Sequence, residues 1–311
     1  MKNKIVVKDN ALIDASFNLS LVEQRLMLLA IVEAREVNTL LPSTPIEITA
    51  LNYSKQFKVD ESTAYRSIAA ASKTLKRREF SYFDRYKNKD AITVAGWVNR
   101  VTYVKSTGVV VLYLSEEVIM MISRLEEQFT RYHLEQVSDF DSKYSVRLYE
   151  LVIKWLNVGN TEKYTIEDLR SKLGVSLKEY KTMSLFKTNV LDKAINEISS
   201  KSDIKLEYEQ FRTGRSISHI SFNIKQKRII RSIVAQVAPS FNMTPKQIAL
   251  FASKLSLDPL FGSKYAETGE TVENFESRLL ILLEDKNNRI LFSDHLLRLG
   301  YVEKIKQIKA A

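Results

Sequence analysis

The chain of 311 residues contains no cysteine. Disulfides and thiolate metal sites are excluded, and a reducing compartment is natural. Histidine is nearly as scarce. His133, His219 and His295 stand far apart in sequence, without the His-x-His pair that a metal-dependent, tyrosine-nucleophile nickase would need. None of the eight glycines begins the pattern Gly-x4-Gly-Lys-Ser/Thr, which argues against a nucleotide-driven helicase. The carboxylate pairs Glu116-Glu117 and Glu126-Glu127 lie in helical segments and read as solvated surface or as charge complementing a helix dipole. No catalytic activity and no cofactor are expected. Apolar runs are short. The longest, residues 26–32, falls far below the roughly 20 residues of a membrane helix. Residues 1–8 lack a signal-peptide apolar core. The expectation is a cytoplasmic protein with no membrane partner.

The abundant feature is positive charge, a formal +10 from 47 Lys/Arg against 37 Asp/Glu. Such an excess favours a polyanionic partner. It is also uneven. Residues 51–100 hold eleven Lys/Arg against five Asp/Glu, and residues 201–250 hold nine against three. Residues 1–50, 101–150 and 251–311 are neutral or acidic.

Residues 164–227 organise the chain. Thr165 with Asp168 is a capping-box-like start, and Ile166, Leu169 and Leu173 follow at helical spacing. Gly174 stands where a helix-ending glycine is expected. A second helix, residues 184–199, carries Leu191, Ala194, Ile195 and Ile198 on its inner face. After Asp203 the period becomes two. Residues 204–208 read as a strand, residues 212–215 as a basic hairpin tip, and Ile220, Phe222 and Ile224 alternate on the return strand. Helix, turn, helix and hairpin make a winged helix, which places its second helix in a DNA major groove and its hairpin on the backbone or minor groove.

The same order occurs earlier. Thr49, Tyr53, Phe57 and Val59 repeat the spacing of Thr165, Leu169, Leu173 and Val175, and Ile68, Ala71 and Leu75 match Leu191, Ala194 and Ile198. Helices are predicted over residues 48–58 and 62–78. A strand follows at 80–83, then a polar tip at 84–90 and a further strand pair at 97–104 and 109–114. The fold class is α+β: two tandem winged-helix domains from an internal duplication, plus a small C-terminal helical region. The domains are residues 1–135, 136–228 and a helical appendage at 229–311. Residues 1–18 read as an extended arm. Ser20 and Glu23 form a capping box for a helix whose apolar residues from Leu21 to Val32 cover more than one face, which suits a central core helix or an interface. In the appendage, Thr244-Pro245 starts a helix through Ile248, Phe251, Ala252 and Leu255. Phe275, Leu279, Leu282 and Leu283 mark a second, and Leu296, Leu297 and Leu299 a third. Its balanced charge suggests interaction or packing rather than DNA contact.

Three stretches carry a resemblance to a known family: residues 7–15 with 19–26, residues 142–151 (Ser-Lys-Tyr-Ser-Val-Arg-Leu-Tyr-Glu-Leu), and Tyr180-Lys181 through Phe186-Lys187 to Val190-Leu191-Asp192. The chain resembles the theta-type plasmid replication initiators, the Rep_3 family of tandem winged-helix proteins, over about its first 230 residues. It departs from many relatives in having Lys193 where they have proline. The resemblance implies double-stranded DNA as partner. Monomers bind directly repeated origin sites, the iterons. Dimers joined through the first domain, in equilibrium with monomers, bind an operator inverted repeat and repress the protein's own promoter. Bound monomers help open the origin and recruit the host initiator and replicative helicase. The alternative is a tandem winged-helix repressor without a replication role.

Helix faces select the contact residues. In the second domain Lys187, Thr188 and Lys193 lie off the inner face, with Ser184 and Asn189 close to the helix start. Lys187 and Asn189 are the predicted base readers, by the pairing of Lys with guanine and Asn with adenine. Lys181, Arg212 and Arg215 suit phosphates. In the first domain Thr63, Tyr65, Arg66 and Lys73 are expected to be exposed, with Arg66 the base contact. Arg85, Lys87 and Lys89 suit the backbone from the wing. The run Lys76-Arg77-Arg78 either joins them or complements a helix dipole.

Overall fold

The computed structural model describes residues 4–227, except 38, 124–128 and 177, and residues 241, 243–258, 261–262, 265–267 and 270–301. The chain forms two compact units, Met1–Arg228 and Ile229–Ala311.

The first unit opens with β1 (Ile5–Asp9), α1 (Asn10–Asp14), β2 (Ser16–Phe17) and α2 (Leu21–Ala34). The expected arm is therefore a built-in element. Val6, Leu12, Ile13 and Phe17 are buried, and β1 pairs antiparallel with β8 (Phe129–His133), more than a hundred residues away. Ser20 and Glu23 form the expected capping box, with Ser20 N–H donating to Glu23 Oε2 at 2.7 Å. From Glu23 to Ala34 every residue of α2 except Glu33 is buried inside the unit. Its apolar surplus is consumed internally, so α2 is a core helix, with Leu21, Val22 and Glu33 half-buried.

Next come β3 (Ile46–Thr49), α3 (Ala50–Phe57) and α4 (Glu61–Leu75). Residues 46–49 were expected to begin a helix in part. They are a strand, because Ile46 and Ile48 are buried at period two against β7 (Val109–Leu114), and the helix starts only after the Thr49 cap. The wing hairpin is β4 (Glu79–Tyr86) and β5 (Lys89–Gly96). Its tip is shorter than the polar composition suggested. The turn is Lys87-Asn88, both at positive φ (49° and 63°), as a two-residue hairpin turn requires. β6 (Val98–Val104) pairs with β7, and α5 (Glu116–Ser123) and α6 (Glu135–Ser138) flank β8.

The second copy comprises α7 (Lys143–Ile153), β9 (Tyr164–Thr165), α8 (Ile166–Lys172), α9 (Met183–Phe186), a π-helical segment (Lys187–Leu191), α10 (Asp192–Lys201), β10 (Ile204–Thr213) and β11 (Ser216–Gln226). The sheet order is β10-β11-β9. The expected uniform second helix has a wide turn in it, for a reason of phase. At about 100° per residue Phe186 and Ile198 would lie about 120° apart around a regular helix. One residue absorbed in a π turn brings them within about 20°, so Phe186, Val190, Leu191, Ala194 and Ile198 all reach the core.

One continuous apolar cluster joins the two copies. The seam between them also holds charge. Glu150 on α7 accepts from Lys8 Nζ (2.6 Å), the Tyr132 hydroxyl (2.6 Å) and Arg147 Nη1 (2.9 Å), all buried. Arg147 also donates to the carbonyls of Ile13 (2.9 Å), Ala15 (3.0 Å) and Lys172 (3.1 Å), and its guanidinium lies over the Phe17 ring. Gly174 closes α8 at φ +68°, with the Phe17 carbonyl oxygen 2.3 Å from where a Cβ would stand.

The second unit contains helices Pro245–Ser256, Val272–Glu284, Lys286–Leu291 and Ser293–Arg298 around Phe251, Leu255, Phe275 and Leu279. Thr244 and Gln247 cap the first reciprocally, with proline at N1. Phe261, which the periodicity did not single out, is the centre of its aromatic packing, touching Tyr265, Phe275 and Phe292. Leu296 is buried as expected, but Leu297 is exposed.

Candidate nucleic-acid interface

Each copy presents a helix-turn-helix whose local geometry follows from caps. Thr165 accepts from Asp168 N–H (3.1 Å), and Thr49 from Asn52 N–H (3.0 Å). Asp60 caps α4 through Thr63 N–H (3.1 Å), and Thr182 caps α9. The turn of the second copy is held by Arg170. Its guanidinium donates to the carbonyls of Tyr180 (3.0 Å), Ser176 (3.2 Å) and Glu179 (2.6 Å) and lies over the Phe186 ring. The sequence pattern did not flag Arg170, because its partners are unspecialised backbone groups.

On the second recognition helix, Ser184, Thr188 and Lys193 are exposed, as are Asn196 and Ser200 further along. Lys187 is half-buried, its ammonium 5.9 Å from the centre of the Tyr208 ring, whose hydroxyl donates to Asp192 (3.1 Å). Asn189 donates its amide to the Leu185 carbonyl (3.0 Å), so part of its capacity for adenine is taken. The outward stripe thus favours Ser184, Thr188 and Lys193 over Lys187 and Asn189, a consequence of the π turn. Lys181 is exposed in the approach to this helix.

The second wing carries Arg212 and Arg215, both exposed, around Gly214 at φ +63° with open space above it. Lys163, absent from the sequence selection, adds a cation here by lying 4.0 Å from the centre of the Phe211 ring.

In the first copy Ala64, Ile68, Ala71 and Leu75 face the core and Thr63, Arg66 and Lys73 face out. Tyr65 does not. Its ring occupies the space beside Gly108, where a Cβ would fall 1.9 Å from Cε1, so its role is to pack α4 on the β6–β7 turn. Arg85, Lys87 and Lys89 are exposed on the wing, Arg85 facing Asp90 at 3.8 Å. Of the run after α4, Lys76 and Arg77 are exposed, whereas Arg78 donates to the buried Glu23 carboxylate (2.8 Å). Burial alone would raise the Glu23 pKa. Donors from Arg78, Thr74 and the Ser20 N–H outweigh it and hold the carboxyl below its ordinary range. Among the described residues no group of His, Asp or Glu could hold a metal ion, and no helix is long and apolar enough to cross a membrane.

Two helix-turn-helix units, each followed by a basic hairpin, define a tandem winged-helix protein of the DNA-binding class. The family models "Initiator Replication protein, WH1" and "Initiator Rep protein, WH2" match residues 5–153 and 165–224. The chain belongs to this family of plasmid replication initiators, as its resemblance to the Rep_3 proteins implied. A "Replication initiation protein" of Escherichia coli is 25% identical over 240 residues, covering 73% of this chain and 72% of that protein. An "Uncharacterized 27.6 kDa protein" of Escherichia coli is 20% identical over 233 residues, 71% of this chain and 95% of that one. Among solved structures, the Pi initiator protein in complex with iteron DNA superposes with a TM-score of 0.61 at 22% identity. It covers 73% of this chain and 99% of that one, a likeness of fold.

Proposed function

We propose that this protein initiates plasmid replication by binding iteron repeats in duplex DNA, each winged helix reading one part of a repeat. The observation that carries this is the pairing, within one compact unit, of two recognition helices with outward polar stripes and two basic wings. The Pi initiator, similar in fold, is seen on iteron DNA, which supports the same use here. Ser184, Thr188, Thr63 and Arg66 face base edges. Lys73, Lys181, Arg85, Lys87, Lys89, Arg212 and Arg215 neutralise phosphates. Bound monomers help open the origin and recruit the host initiator and replicative helicase. Dimers form through the first domain and repress the protein's own promoter. Support for a first-domain interface lies on β4 and β5, where Phe83, Ile92 and Val94 share one exposed face.

Footprinting the purified protein on DNA flanking its gene tests this. Evenly phased protection over several direct repeats is expected. Protection of a single inverted repeat, and nothing else, would make the protein a repressor and end the replication reading. Contact sorting has its own test. Arg66→Ala should cost about 1–3 kcal/mol on the specific site and relax preference at one base position. Arg215→Ala should weaken binding to all sequences and reduce the salt slope by about 1. Equal losses for both variants on specific and random DNA would overturn the assignment.

A further inference from the structure

An open polar cleft separates the two winged helices. Asn18, Ser20 and Arg78 line it from the first copy, and Lys143, Asn189 and Lys193 from the second. Asn189, Lys193, Asn196 and Ser200 all border it. Spaced four, three and four apart, they make one stripe, so the cleft continues the outward face of the recognition helix. The α4 end enters through Arg78.

The charges in the cleft sort themselves. Its acids are engaged. Glu197 accepts from the N–H groups of Asp141 (2.7 Å) and Ser142 (3.2 Å), and Lys201 pairs with Glu197 (2.9 Å) and Asp141 (2.6 Å). Arg78 is held by Glu23. Two cations are left over. Lys143 Nζ donates to the neutral Asn18 Oδ1 at 2.9 Å, and Lys193 makes no ion pair among the described residues.

We propose that this cleft is a DNA-backbone site, in which a phosphate between the two grooves read by the recognition helices sits against Lys143 and Lys193. The inference rests on the duplex-binding reading above. Two recognition helices fixed in one unit cannot occupy successive major grooves unless the intervening backbone passes the seam. Lys143 and Lys193 make no direct ion pair among the described residues, though Glu179 acts on Lys143 from a longer range; beside Ser20 and Asn18 they are the donors such a phosphate takes. A contact there forms only when both lobes are engaged. It therefore couples their binding as well as adding affinity.

The test measures binding of the full chain to a mixed-sequence duplex of about 24 base pairs by fluorescence anisotropy from 50 to 200 mM KCl. Lys143→Gln and Lys193→Gln should each reduce the slope of log K against log salt by about 0.9, and the double variant by about 1.8. Lys143→Arg should restore the slope lost in Lys143→Gln. Lys286→Gln, in the second unit, should leave the slope unchanged. Tryptophan fluorescence checks that each variant is folded. A folded double variant with the wild-type slope and affinity overturns the cleft site while duplex binding stands. A wild-type protein that does not bind the duplex at 50 mM KCl removes the duplex reading and the cleft site together.

Discussion

Glu150→Ala is expected to remove about 3–5 kcal/mol of stability, the cost of leaving buried charges without their partner. The carboxylate is enclosed with Lys8 and Arg147, whose side chains are 5% and 1% exposed. Total stabilities run about 5–15 kcal/mol, so this one change takes a large share. Both tryptophans, Trp97 and Trp155, lie in the first unit. Denaturant unfolding followed by their fluorescence therefore reports on that unit. A loss under about 1 kcal/mol would place the cluster with ordinary surface pairs. Lys8→Met should cost less, because Arg147 and Tyr132 still satisfy Glu150. The cluster also gives a pH signature. Burial alone would raise the Glu150 pKa, but Lys8 and Arg147 outweigh it and hold the carboxyl below its ordinary value. A depressed carboxylate contributes stability that is present above its unfolded pKa, about 4.3, and is lost as pH falls through the folded pKa. Wild-type stability should decline in that acid window, and Glu150→Gln should flatten this part of the decline.

The second large effect is Gly174→Ala, on the order of 3 kcal/mol. Two costs add. At φ +68° any side chain is strained, and the new Cβ would meet the Phe17 carbonyl oxygen at 2.3 Å and Asn18 Cα at 3.2 Å. These are backbone atoms of the first copy, which cannot swing aside as a side chain would. Gly214→Ala separates the costs. Its φ is +63° but nothing lies within 4 Å, so the backbone term of about 1 kcal/mol should stand alone. Equal losses at the two glycines would show that the close approach of α8 to β2 carries no energy.

The local signals in the sequence were sufficient for the parts of the fold they govern. Thr165, Thr244 and the Ser20–Glu23 box start helices where hydroxyl caps predict, because a cap is satisfied within three residues of itself. The duplication was legible because Tyr53 and Leu169, or Ala71 and Ala194, meet the same burial requirement in each copy. The second wing follows from alternation at period two, whereas the return strand of the first, Lys89–Gly96, was not legible in the polar stretch that precedes Trp97. In the candidate interface, exposure of Thr63, Arg66, Ser184, Thr188 and the hairpin arginines also followed from helix phase and turn chemistry.

What only the tertiary structure decided depends on partners remote in sequence. Residues 5–17 are core because β8 supplies a strand and α7 supplies Arg147 and Glu150. Lys8 reads as a solvated cation until Glu150, 142 residues on, comes within 2.6 Å. Tyr65 packs on Gly108 and Arg78 serves Glu23, so two residues of apparent DNA-facing type belong to the scaffold. The π turn that redirects Lys187 toward Tyr208 arises from a conflict of phase between Phe186 and Ile198, which only their common core resolves. Propensity, capping and period act within a few residues. Burial, charge pairing and close backbone approach are properties of the packed chain.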